Sequence, residues 1–78
     1  MKSLLDRATL QAVLTRTDER IAQARQHVDR QRAIVAEMER FGLDVRRAMK
    51  VLAVFEQICE ALVAERDQLA VLVGKAST

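Results

Sequence analysis

The chain has no proline, tyrosine or tryptophan, and only two glycines, two phenylalanines, one cysteine and one histidine among 78 residues. Each scarcity removes a class of structure. Without proline, nothing rigid kinks or stops a helix. With Phe41 and Phe55 the sole aromatics, a sheet lacks many of the residues that favour strands. Cys59 alone forms no internal disulfide, and a lone thiol fits a reducing compartment. Structural zinc takes clustered ligands, and His27 has no second histidine to join it. Neither a metal nor a cofactor is expected. Long apolar runs are also missing: Val51 to Phe55 and Ala70 to Val73 fall far short of the ~20 residues of a membrane span. Asp6-Arg7 follows Leu4-Leu5 too closely for a signal peptide, so a cytoplasmic, membrane-free chain is expected.

What is present is helix-forming. Ala, Leu, Arg, Glu and Gln are abundant, and half the residues are hydrophobic, which argues against disorder. The net charge of +2 singles out no partner. The length allows one domain, residues 1–78. Below about 80 residues a core alone rarely supplies more than about 3–5 kcal/mol. With disulfide and metal set aside, oligomerisation is the expected reinforcement.

One punctuation mark, Phe41-Gly42-Leu43-Asp44, divides the chain. Gly42 suits the positive-φ position past a helix end, with Leu43 folding back on Met38. Asp44 suits the cap of the next helix, with Leu43 and Ala48 as a hydrophobic staple. The expected elements are helix 1 over about residues 4–41, a turn at 42–44 and helix 2 over about 45–73. So short a turn makes the helices antiparallel. Ser3 is a candidate cap for helix 1, with Asp6 completing a weak capping box. Thr17 before Asp18-Glu19 is a second start signal, which leaves a break near Thr15–Thr17 as an alternative to one continuous helix.

Apolar residues recur at alternating spacings of four and three. Helix 1 carries Leu10, Leu14, Thr17, Ile21, Ala24, Val28, Gln31, Val35 and Met38. Helix 2 carries Val45, Ala48, Leu52, Phe55, Cys59, Leu62, Arg66, Leu69 and Val73. Such heptads specify a narrow seam and coiled-coil-like packing. Gln31 and Arg66 interrupt it. Either they fix register and partner number, or Arg66 snorkels toward Asp18 or Glu19. Cys59 on the seam reads as a small core residue, and His27 as a half-exposed residue at its edge. Nucleophilic catalysis needs a thiol, a base and an orienting group. That set is incomplete, so no catalytic residue is assigned and the chain does not read as an enzyme.

A second stripe runs along helix 2: Arg47, Val51, Val54, Ile58, Ala61, Glu65. It lies about a quarter turn from the seam, so one partner helix cannot cover both rows. Run antiparallel against its own copy, the stripe is self-complementary. Val54 meets Ile58, Val51 meets Ala61 and Arg47 meets Glu65, whereas a parallel pairing sets like charges together. This makes it the expected dimer interface. Leu4, Leu5, Ala8 and Leu72 would overhang toward the partner's Ile34 and Phe41.

The stretch from His27 to Gly42 reads His-Val-Asp-Arg-Gln-Arg-Ala-Ile-Val-Ala-Glu-Met-Glu-Arg-Phe-Gly. It is followed by Asp44, Ala48, Leu52, Phe55-Glu56 and Ala64-Glu-Arg-Asp-Gln-Leu69. Together these residues resemble a group of short helical-hairpin proteins of alphaproteobacteria, abundant in rhizobia. The group's histidine in helix 2 has no counterpart at Ala61 to Val63. The resemblance implies a bacterial cytoplasmic origin and brings no activity, cofactor or ligand with it.

The expected fold is thus an all-α antiparallel two-helix hairpin, assembled as a homodimeric four-helix bundle. The expected function is a non-catalytic protein–protein interaction module, an adaptor or regulator, with no small-molecule ligand. One alternative is a nucleic-acid-associated regulator using Arg46, Arg47, Lys50 and the helix 1 arginines. That reading is weakened because the arginines circle the helix among Asp18, Glu19 and Asp29. The other alternative is one half of an obligate hetero-complex.

Overall fold

Two long amphipathic segments separated by one glycine leave the chain little choice but to double back. The computed structural model describes residues 6–76. It contains helix α1, Arg7–Arg40, and helix α2, Arg46–Ala76, packed along their length in a rod of 60 × 18 × 14 Å. The described residues include no strand. No helix among them is long and apolar enough to cross a membrane.

The seam is where the heptads put it. From Leu10 to Arg40 the only residues of α1 not exposed are its nine seam positions. On α2 every seam position from Ala48 to Val73 is buried or half-buried, as is Val45 before it. Ile21, Ala24 and Leu62 form the buried centre, with Cys59 and Val63 packed against it. Cys59 is a half-buried free thiol. Thr17, 2 % exposed, hides its hydroxyl by donating to the Val13 carbonyl one turn back, at 2.9 Å. A satisfied hydroxyl needs no break, and α1 runs through this point as one helix.

The helix ends differ from the expected bounds. Asp6, not Ser3, caps α1. Its backbone is extended, and its carboxylate accepts the Thr9 N–H at 2.8 Å. Aspartate is among the preferred caps, and its negative charge suits the positive end of the helix dipole. The helix therefore begins at Arg7 rather than near residue 4. Ser3, Leu4 and Leu5 lie outside the described residues. At the other end of the chain α2 continues past residue 73 to Ala76, through Gly74. A helical glycine costs only about 1 kcal/mol relative to alanine, which is too little to force a stop.

The turn is a Schellman cap. Gly42 has φ +71°. Its N–H donates to the Glu39 carbonyl at 3.0 Å, and the Leu43 N–H reaches back to Met38 at 2.9 Å. These bonds satisfy carbonyls that the helix end would otherwise leave open. The Leu43 side chain stays 57 % exposed, so the fold-back toward Met38 is made chiefly by the backbone. Helix α2 starts one residue later than expected: the Val45 carbonyl accepts its first amide, from Met49, at 2.8 Å. Asp44 therefore stands one residue before the cap position, where its carboxylate accepts the Arg46 N–H at 3.0 Å.

Candidate functional site

The two polar interruptions of the seam have different partners. Gln31 sends its side-chain amide across the hairpin to the Ala48 carbonyl at 2.9 Å. That bond ties one side chain to one position of the opposite backbone and so marks the register. Arg66 keeps its stem on the seam and turns its head outward, 3.6 Å from Asp18 and 3.0 Å from Asp67. This is the snorkelling geometry.

Either side of the seam is a flank, and the two are chemically unlike. On the first, Arg25, Asp29 and Arg32 of α1 face Glu56 and Glu60 of α2 over a shallow depression that reaches Val28 and Cys59. Arg32 bridges to Glu56 at 3.3 Å. On the second, Arg20, Gln23 and His27 face Phe55, Ile58 and Leu62. The His27 ring stacks on Phe55, with centroids 5.7 Å apart and planes at 28°. His27 and Cys59 therefore open onto opposite flanks. Among the described residues no three His, Cys, Asp or Glu side chains cluster as metal ligands.

Steps of seven residues from His27 and Ile58 stay on the second flank. They reach Val13 and Ile34 on α1, Phe41 at its C-cap, and Val51 and Leu72 on α2, with Val54 alongside, and they also pass through Arg20 and Glu65. The apolar members are large and left exposed: Val54 is 51 % exposed, Ile58 47 % and Phe41 68 %. The stripe Arg47, Val51, Val54, Ile58, Ala61, Glu65 is exposed throughout. Sequence reasoning took this surface as chiefly a row on helix 2 and missed the length of α1's share. The signal was the seven-residue spacing of Val13, Ile34 and Phe41, masked because Arg20 and His27 stand between them.

Around the turn, Arg46 and Arg40 are each engaged by an acid. Arg46 binds Asp44 through Nε and Nη2, with a shortest distance of 2.7 Å, and its N–H also donates to that carboxylate at 3.0 Å. The side-chain bonds, then the backbone bond, hold the Asp44 carboxyl below its ordinary value of 3.8, and Asp44 holds the Arg46 guanidinium more firmly protonated. The pair's contribution is thus complete above pH 3.8 and fades as pH falls through the lowered value. Arg40 is likewise paired with Glu37 at 2.9 Å.

The chain matches no protein-family model, no curated protein and no solved structure.

Proposed function

We propose that this chain is a non-catalytic helical interaction module of the bacterial cytoplasm, an adaptor or regulator that works as a homodimeric four-helix bundle. The observation that carries the reading is the apolar flank. Val51, Val54 and Ile58 stand in a row on α2, each 39–51 % exposed, in a chain too small to be well supported by its own core. Contiguous apolar surface bounded by charge is the mark of an interaction site. Arg47 and Glu65 bound this row on either side, and in an antiparallel pairing each meets its opposite. Arg32, Arg40 and Arg46 are each engaged by a neighbouring acid, which reduces the positive charge open to a nucleic acid.

Sedimentation equilibrium tests the reading. The native chain is expected to run as a dimer, and Val54→Lys as a monomer or an unfolded chain. Charge reversal at Arg47 is expected to weaken association slightly and to be partly restored by reversal at Glu65. A helical Val54→Lys variant that keeps the dimer mass would overturn the proposal.

A further inference from the structure

We infer that a second copy of this chain covers the apolar flank of both helices about a two-fold axis perpendicular to the rod, so that α1 crosses its own copy at His27. The inference rests on the homodimer proposed above and specifies its geometry. Two independent patterns carry it. On α2, pairing Val54 with Ile58 and Arg47 with Glu65 places the axis beside Glu56. On α1, the flank has its own centre of symmetry. Gln23 lies on this flank, and steps of seven from it reach Arg16, Arg30 and Glu37, with Arg30 falling opposite the partner copy's Gln23 in an antiparallel pairing. Antiparallel pairing of α1 with its copy sets Arg16 against the partner copy's Glu37, and Val13 against its Phe41. The Val13–Phe41 pair is centred on His27 and the Arg16–Glu37 pair half a residue before it, between Gln26 and His27.

The structure brings these two centres to one level. His27 stacks on Phe55, the neighbour of Glu56, so a single axis serves both helices. That coincidence is not required by the hairpin, because the two patterns lie on separate segments. The same operation brings Phe41, the most exposed large apolar residue described, from the turn of one copy onto Val13 and Leu72 at the open end of the other. Area is sufficient as well. A rod 60 Å long and 18 Å across has room along one face for a standard stable interface of about 800 Å² per partner. Helix neighbours would all be antiparallel, the up-and-down arrangement of four-helix bundles.

A competing dimer has its axis along the rod and sets α2 on the partner's α1 at equal heights. Spin labels distinguish the two. In a Cys59→Ala background, His27→Cys, Arg20→Cys and Arg16→Cys each place one label per chain at an exposed position of α1. With the perpendicular axis, the distance between the two labels of a dimer is shortest at residue 27. It lengthens toward residue 16 because the axial offset grows by about 3 Å per residue, twice the helical rise. With the axis along the rod, the three distances are nearly equal. A rising series supports the inference. A flat series from a dimer of normal mass overturns it and leaves the proposed function standing. A labelled chain that is helical but monomeric, like the unlabelled protein, overturns both.

Discussion

The two flanks of the hairpin share one seam and the same pair of helices, yet they end in opposite ways. On the charged flank, long side chains reach across the helices and Arg32 closes on Glu56. Their aliphatic stems shield the apolar atoms below while their heads stay in water. On the apolar flank the corresponding places hold Val51, Ile58 and Ile34, which are too short and too apolar to do either. Heptad patterning thus decides what lies between two helices, while the positions beside the seam decide whether the pair is complete. Here one flank is bridged by an ion pair and the other keeps Val51, Val54 and Ile58 exposed.

The largest expected effect erases the distinction. Leu62 is 7 % exposed at the centre of the seam, so Leu62→Ala removes packing beneath both flanks. It should destabilise the fold by about 2–5 kcal/mol, read as a fall in the urea midpoint, with association lost alongside. A dimer that survives with an unchanged midpoint would mean that the flank, rather than the seam, organises the molecule.

Gly42→Val should cost about 1 kcal/mol or more, because a β-branched residue resists positive φ. An added Cβ meets nothing within 4 Å, so the cost is one of backbone conformation alone. Gly42→Asn should recover much of it, since asparagine tolerates this region. Equal midpoints for the native chain and Gly42→Val would contradict the Schellman cap.

The smallest effect belongs to the charged flank and sharpens the comparison most. Arg32 and Glu56 are 58 % and 42 % exposed. Arg32→Ala should therefore cost about 0–1 kcal/mol, less at high salt, with no change in association. Dissociation of the dimer by Arg32→Ala would place the interface on the wrong flank.

Much of this was legible in the sequence, and the parts that were not have physical reasons. The seam could be read residue by residue because burial between two helices imposes one period on both. The Schellman turn could be read because Gly42 is the only glycine between the two periodic segments and positive φ selects glycine. The start of α1 was misplaced: Ser3 reads as the cap and Asp6 only as its capping-box partner, whereas the Asp6 carboxylate itself accepts the Thr9 N–H. A side chain that suits either role does not announce which it takes. Gln31 was visible as an interruption, but its bond to the Ala48 carbonyl depends on the relative height of the helices. The α1 half of the apolar flank escaped because hydropathy along a row averages Ile34 and Phe41 with Arg20 and His27. The facing of Arg20, Gln23 and His27 with Ile58 and Leu62, and the stacking of His27 on Phe55, show which row of α1 lies beside which row of α2.

The position of the turn also bears on time. Gln31 meets Ala48 across 17 residues of chain, and Arg32 meets Glu56 across 24. Contacts nearer the open end, such as Arg66 with Asp18, span more. Loop-closure entropy grows only logarithmically with loop length, so once the contacts beside Gly42 have formed, each later one closes at little added cost. Zipping from the closed end is the expected order of folding, and such nested, orderly contacts favour rapid folding. Substitutions near Gly42 should then slow folding, while those near Asp18 and Arg66 should chiefly speed unfolding. One glycine sets both the direction in which the rod points and the order in which it is assembled.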